Sequence, residues 1–434
     1  MGLDAVNARA VYRKITWRLI PYMFLLYIVN YLDRVNVGFA AMDIQRDLHF
    51  SNTVYGFGAG IYFLGSALFD LPSNLILTRV GARVWMARIM VSWGIISTLM
   101  MFMHSAESFY VLRFLLGVSE AGFFPGMIVY LTYWFPTHER ARAVSRFMIA
   151  TSLAGVVGGP LSSAVLRMNG WHGLAGWQWL FLTEGIPTIV LGISVLFLLR
   201  DSPDDAPWLS ADEKSWLDEE LLRDSERFGA ASHHRLGDAF KLPALWVLAG
   251  AYFVSQVGVY IVNLWMPLIL ASFSHGAADS SVIDRYATFP YLAAAIMTLV
   301  VGWSSDKRKE QRWHIAGCLL LSAIGFAWVA VAHNMMIALC ALTLAAVGLW
   351  SMMGPFWALT TSMLGGTAAA GAVAILQIVG GVGGFTGPYT IGRLRDATHS
   401  FAGGLLAMSG LAVCAALLAL AVRRPRAVAE TVKS

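Results

Sequence analysis

Of the 434 residues, 57% are apolar and only 13% charged, with a formal net charge of +5. That charged share is about half that of a typical soluble domain, too little to cover a water-facing surface, so an ordinary soluble globular protein is excluded. The basic residues form no patch interleaved with aromatics, so the positive charge is no sign of nucleic-acid binding.

The charges are bunched between apolar runs of roughly 20 residues, the length a helix needs to cross a hydrocarbon core of about 30 Å. Twelve helices are predicted, at 17–40, 55–77, 85–104, 108–134, 145–168, 178–199, 243–272, 286–304, 313–332, 335–361, 369–392 and 401–422. The fold class expected is an all-α membrane protein with twelve transmembrane helices. The first span is too long for a cleaved signal, carries Asp33 and Arg34, and has no small-residue cleavage site. Cys318, Cys340 and Cys414 lie in apolar spans without metal-ligand spacing, so no disulfide framework is expected. Lys and Arg collect at the N-terminus, in the second–third, fourth–fifth and eighth–ninth connections and in the tail, with Arg79, Arg83, Arg142, Arg146, Lys307, Arg308 and Arg423 among them. The other side receives only Arg46, Arg167, Arg285, Arg393 and Arg395. Basic loops are retained in the cytoplasm, so both termini are expected inside.

A polar stretch from Arg200 to Lys241 divides the pattern into six spans before and six after. The expected organisation is a first six-helix bundle over 1–199, a cytoplasmic connection over 200–242, and a second bundle with its tail over 243–434. Within the connection, Ser210-Ala211-Asp212-Glu213 reads as a capping box, followed by Trp216, Leu217 and Leu221 on one face. A short amphipathic helix bracing the two halves is predicted. Repeated punctuation supports the division: Thr78 and Asp306, in matching loops, and Pro160 and Pro388, each after a glycine, are both 228 positions apart. Gly155-x-x-x-Gly159 and Gly383-x-x-x-Gly387 are suited to close helix crossings.

A charge at mid-membrane costs at least about 2.5 kcal/mol and requires a partner, water or a function. Asp33, Arg34, Asp70, Arg113, Glu120 and Glu184 are such residues, all in the first half. Asp33 and Arg34 are adjacent and point about 100° apart on a helix, so one can face a cavity and the other a neighbouring helix. Tyr31 and Asn30 share a face with Arg34, whose planar fork holds a carboxylate bidentately. This patch serves substrate or proton handling, or else fixes the first span. Glu120 lies near the middle of span four, where burial would let it carry a proton; Arg113, two turns earlier, suits either a structural tie or a substrate contact. Asp70 and Glu184, nearer helix ends, read as structural. In the second half, Gln256, Tyr260 and Asn263 form one polar face of span seven, and Gln377, Trp350 and Trp357 could complete a cavity.

The sequence resembles the major facilitator superfamily, whose loop signature Gly-x-x-x-Asp-Arg/Lys is complete at Gly302–Lys307 and degenerate at Asn74–Arg79, where Thr78 replaces the acid. The resemblance implies a cytoplasmic latch between the bundles involving Arg79, Arg83, Asp306 and Lys307. Within that superfamily the chain is most similar to the anion:cation symporters, through Tyr31–Asn36, Phe69–Asn74, Glu120–Gly126, Gly176–Phe181, Gly354–Leu359 and Gly365–Ala370. What this implies is that Arg34 and Tyr31 contact a substrate carboxylate, that Arg113 joins the same network, and that Asp33 and Glu120 take up and release coupling protons. Three positions depart from the commonest family pattern: Gly65-Ser66 stands for Gly-Tyr, and Gln377 and Gly381 for two asparagines. These changes at the presumed cavity weaken the inference to sugar acids.

The expected function is therefore proton-coupled uptake of a small organic anion such as tartrate, a sugar acid or an aromatic carboxylate, by a monomer in the bacterial inner membrane, with no cofactor or metal. The rivals are a proton antiporter or exporter on the same fold and a non-transporting membrane sensor. No Ser/His/Asp, Cys/His or metal constellation suggests an enzyme, and His104, His275 and His333 fall at predicted outer helix ends.

Overall fold

The computed structural model describes residues 7–229, 243–273, 283, 286–363 and 366–421. His275, Arg285, Arg423, the end of the connection at 230–242 and the side chains of Arg142, Arg146 and the 365–370 stretch lie outside that description. The described chain is helical without strands: α1 Ala8–Phe39, α2 Ala41–Leu48, α3 Asn52–Val80, α4 Ala82–Leu99, α5 Ala106–Glu120, α6 Phe123–Thr132, α7 Thr137–Leu166, α8 Gly176–Leu198, α9 Ala211–Gly229 and α10 Pro243–Ser272. Then follow α11 Thr288–Arg308, α12 Arg312–Ala330, α13 Met335–Ser351, α14 Met353–Met363, α15 Gly366–Thr398 and α16 Ala402–Ala421.

Counting α5 with α6 and α13 with α14 as single crossings, 11 helices among the described residues are long and apolar enough to cross a membrane. The position of the predicted span 145–168 is taken by α7, whose apolar part is Leu153–Leu166. Large apolar side chains such as Leu68, Leu71, Phe197, Leu299 and Leu417 face outward. That suits hydrocarbon, and helices satisfy their backbone polar groups internally there.

Two predicted spans are interrupted. Span four breaks between α5 and α6 at Ala121-Gly122, where Gly122 adopts a left-handed φ of 83° and the Asp70 carboxylate accepts its N–H at 2.7 Å. Span ten breaks at Met352 between α13 and α14. Pro125 and Pro355 each occupy the third position of the helix that follows, where a missing N–H costs no intrahelical bond. Conversely, both signature segments predicted as loops are helical. α3 runs to Val80 and α11 to Arg308, so the turns shrink to Gly81 and to the residues around Lys309, both at positive φ.

Helices α1, α3, α4, α5, α7 and α8 pack on one another, as do α10 to α13, α15 and α16; the two sets meet along α3 against α15, the most extensive helix pair, and along α7 against α11 and α1 against α10. One end of the molecule carries α9 and is here called the linker end. α9 opens on the predicted capping box, with Glu213 accepting the Ser210 N–H at 2.8 Å and Ser210 Oγ accepting the Glu213 N–H at 3.2 Å. It is held to the first set of helices by Lys14–Glu213 at 2.8 Å, by Thr137 N–H donating to Asp224 at 3.0 Å, and by the Tyr12 and Trp216 rings at 5.4 Å. At the opposite end the two sets are tied together. Asp396, in the last turn of α15, accepts from the Asn52 amide nitrogen (2.8 Å), the Asn52 N–H (3.1 Å) and the Thr53 N–H (2.7 Å), while the Tyr55 hydroxyl donates to the Leu264 carbonyl at 2.9 Å.

Candidate functional site

Consecutive residues of α1 send opposite charges to different places. Arg34 lies towards the seam between the two sets of helices, with its side chain 23% exposed, and its Nη2 contacts Glu120 Oε1 at 2.6 Å, the carboxylate being 1% exposed. A buried ion pair is tolerable only when further hydrogen bonds complete it. Asn30 Nδ2 donates to the same Glu120 oxygen at 2.5 Å, and Arg34 Nε donates to the Tyr62 hydroxyl at 3.2 Å. The break after Glu120 places this carboxylate at the end of α5, one residue before the kink that Asp70 caps.

Arg113 is fully buried. Its Nη2 donates to the Ala59 carbonyl at 3.2 Å, and its guanidinium lies over the Tyr62 ring at 4.8 Å, so it ties α5 to α3 behind the ring whose hydroxyl meets Arg34.

Asp33 points the other way and has no solvent-accessible surface. Its Oδ1 accepts from the Ser97 hydroxyl of α4 and from Asn36 Nδ2 at 3.4 Å; the same Asn36 nitrogen donates to Glu184 Oε2 of α8 at 2.7 Å. Glu184 therefore belongs to the Asp33 network. Its buried acid in an apolar span was the signal in the sequence, but its partner Asn36 lies 148 positions away.

From the second half, Tyr260 approaches Arg34, and its ring sits 3.9 Å from that of Phe63. Asn263 accepts from the Tyr291 hydroxyl at 2.8 Å, and Tyr31 faces Asn263 and Trp350. A separate cluster forms around Tyr252, whose hydroxyl donates to Gln377 at 3.3 Å and whose ring stacks on Phe356 and meets Trp357 edge-on at 5.6 Å. Gln256 lies against Gly380 and Gly383 of α15. Tyr31, Tyr260 and Asn263 thus gather near Arg34, and Gln256, Gln377 and Trp357 a turn or so towards the linker end. At that end Arg83 meets Asp201, with Nε–Oδ2 at 3.3 Å and the Arg83 N–H to Oδ1 at 2.9 Å. Lys307 lies over the Trp303 ring at 4.8 Å, and no ion pair joins Asp306 to Arg79 or Arg83. Asp201, which the sequence pattern did not single out, caps α4 beside the Gly81 turn.

The model of the family described as Major Facilitator Superfamily matches residues 23–388. The chain belongs to the Major Facilitator Superfamily. Among its relatives in the superfamily, an Agrobacterium vitis protein named for tartrate transport is 46% identical over 416 residues, covering 95% of each chain. A quinolone resistance transporter of Acinetobacter baumannii is 36% identical over 399 residues, covering 92% of each. The fold is similar to that of a solved bacterial homologue of the human lysosomal transporter Spinster in an inward-facing, occupied conformation, with a TM-score of 0.75 at 19% identity, covering 93% of this chain and 96% of that one. As a member of the Major Facilitator Superfamily the chain is a multi-pass membrane transporter of a small organic substrate, and not an enzyme.

Proposed function

We propose that the chain carries a small organic anion together with protons by alternating access, a six-helix unit over 1–199 rocking against a second over 243–434. The Arg34–Glu120 contact carries the proposal: the cation with access to the seam is held by a buried carboxyl of the same set of helices. Breaking a buried pair by removing one partner costs about 3–5 kcal/mol, because the other charge is left uncompensated. A substrate carboxylate arriving as Glu120 is protonated replaces the lost partner of Arg34, so anion and proton bind best together. A coupling of even about 3 kcal/mol corresponds to a factor of roughly 150 in affinity. The relatives named for tartrate transport support an organic acid as cargo. With the basic linker end read as cytoplasmic, the end closed by Asp396 faces outward.

The test is tartrate uptake into proteoliposomes under an imposed pH gradient. Glu120→Gln should retain exchange of tartrate across the membrane and lose gradient-driven accumulation; unchanged accumulation would sink the assignment. The relative named for quinolone resistance favours a second reading, proton-driven export. Quinolone efflux from the same vesicles, driven by the opposite gradient and absent for tartrate, would decide for it.

A further inference from the structure

Glu184 is a buried acid that the scheme above leaves unused, and it is placed where a coupling proton would be felt. Asn36 directs one amide nitrogen at two carboxylates, Glu184 Oε2 at 2.7 Å and Asp33 Oδ1 at 3.4 Å. The other oxygens, Asp33 Oδ2 and Glu184 Oε1, are buried without a hydrogen-bond partner in the described structure. The described surroundings supply little positive charge. From α4 come only the Ser97 hydroxyl and the Trp93 indole, and from α8 the Thr188 hydroxyl, which is itself bonded to the Glu184 carbonyl. On α2, Asp43 is turned to Arg46. Arg113 and Glu120 of α5 act on Asp33 at longer range with opposite signs, and Arg113 is held by the Ala59 carbonyl and the Tyr62 ring. Among the described residues no ion pair reaches either acid. Two carboxylates sharing one desolvated pocket and one donor do not both ionise, and their titrations become a property of the pair.

We propose that Asp33 and Glu184, bridged by Asn36, form a single proton-binding unit in which Glu184 sets how tightly Asp33 holds its proton. The step involves only O–H bonds: a proton from water on one side adds to the pair, and the same proton returns to water on the other. The inference deepens the proton-coupled reading and rests on it for its meaning in transport, but the pair can be tested without any substrate. In such a unit the proton resides on whichever acid the conformation favours, and removing one acid frees the other from like-charge repulsion.

The experiment is pH-titrated infrared difference spectroscopy of the purified full chain in detergent, following the carbonyl stretch of protonated carboxyl groups. It compares the wild type with Asp33→Asn, Glu184→Gln and the double variant, which supplies the background from all other acids. The expected result is that Glu184→Gln moves the Asp33 titration to lower pH by about one unit or more, the threshold for coupled sites, and that Asp33→Asn leaves a titrating band that the double variant lacks. An Asp33 midpoint unmoved by Glu184→Gln overturns the proposal. Should Glu184→Gln not elute as a folded species, Glu184→Asp takes its place, drawing the second carboxyl back by one methylene: an Asp33 midpoint moved from that of the wild type supports the pair, and an unmoved one overturns it. Gradient-driven tartrate uptake by the wild type reports separately on the transport reading, so either can fail without the other.

Discussion

Removing the Asp396 carboxylate should release the closed end of the molecule. Asp396 reaches from α15 across the seam and accepts three hydrogen bonds from the first turn of α3, two of them from backbone N–H groups that begin a helix. Losing an N-terminal cap costs about 0.5–2 kcal/mol, and hydrogen bonds to a charged acceptor are worth about 1.5–3 kcal/mol each when buried. Asp396 is only partly buried and Ser51 still caps α3 through the Val54 N–H. We therefore take about 2 kcal/mol for Asp396→Ala. That shifts the balance between closed and open states at this end by roughly 30-fold. The Tyr55 bond to Leu264 is untouched, so the end is weakened and not abolished. The assay is a spin-label distance distribution between exposed positions 46 and 399, with Cys318, Cys340 and Cys414 replaced. A long-distance population should grow strongly in Asp396→Ala and less in Asp396→Asn, which keeps an acceptor. A distribution identical to the parent in both variants would refute the assignment of Asp396 as a closure between the two sets of helices.

Arg34→Lys keeps the charge but loses the planar fork, so tartrate affinity, read by thermal shift, should fall about tenfold or more, with Arg34→Ala abolishing it. Gly117→Val forces α3 and α5 apart, because a Cβ there meets the Tyr62 carbonyl and stands 3.0 Å from the Ser66 nitrogen. Melting in detergent should show a loss of about 1–3 kcal/mol, against less than about 0.5 kcal/mol for Gly302→Ala, where a Cβ meets nothing. Burial alone would raise the Glu213 carboxyl, but the Lys14 ammonium and the Ser210 N–H outweigh it and hold it below the ordinary glutamate value. A depressed acid stabilises the fold above its unfolded pKa and loses that contribution as pH falls through the folded one. Docking of α9, followed by proteolysis of the connection, should therefore weaken on acidification in the wild type and be insensitive to pH at this site in Glu213→Gln. The effect is under about 1 kcal/mol, since the pair is largely solvent-screened.

The spans were legible because a helix in hydrocarbon must be long and apolar, a property each segment carries by itself. The separation of Asp33 from Arg34 was legible for the same local reason: 100° per residue sends neighbours to different faces, and the structure puts one against α4 and the other at the seam. The breaks at Gly122 and Met352 were harder to see, since hydropathy runs straight through them; Pro125 and Pro355 mark them only in hindsight of where a proline can sit in a first turn. The partners of Glu184 were not legible, because its surroundings are set by Asn36 and Asp33 on α1, which no local pattern connects to α8. Asp201 and Asp396 were missed for a related reason: each acts by capping a helix in a distant part of the chain.

The distribution of bonds bears on how such a carrier could rock. The ionised and acidic network, Arg34–Glu120, Arg113–Tyr62 and Asp33–Asn36–Glu184, lies wholly within α1, α3, α4, α5 and α8. What meets it across the seam is neutral: Tyr260 beside Arg34, Asn263 beside Tyr31, and the Tyr55 bond to the Leu264 carbonyl, with Asp396 the charged exception at the rim. Neutral hydrogen bonds contribute about 1 kcal/mol each and exchange with water readily, whereas stranding a member of a buried ion pair costs about 3–5 kcal/mol. Opening along the seam therefore breaks the cheap contacts and carries the expensive ones intact in one unit. The apolar packing of α3 against α15 must also part, and at the rim Asp396, away from Arg34, is a charged tie whose loss should alter the rate of opening more than the affinity of the site.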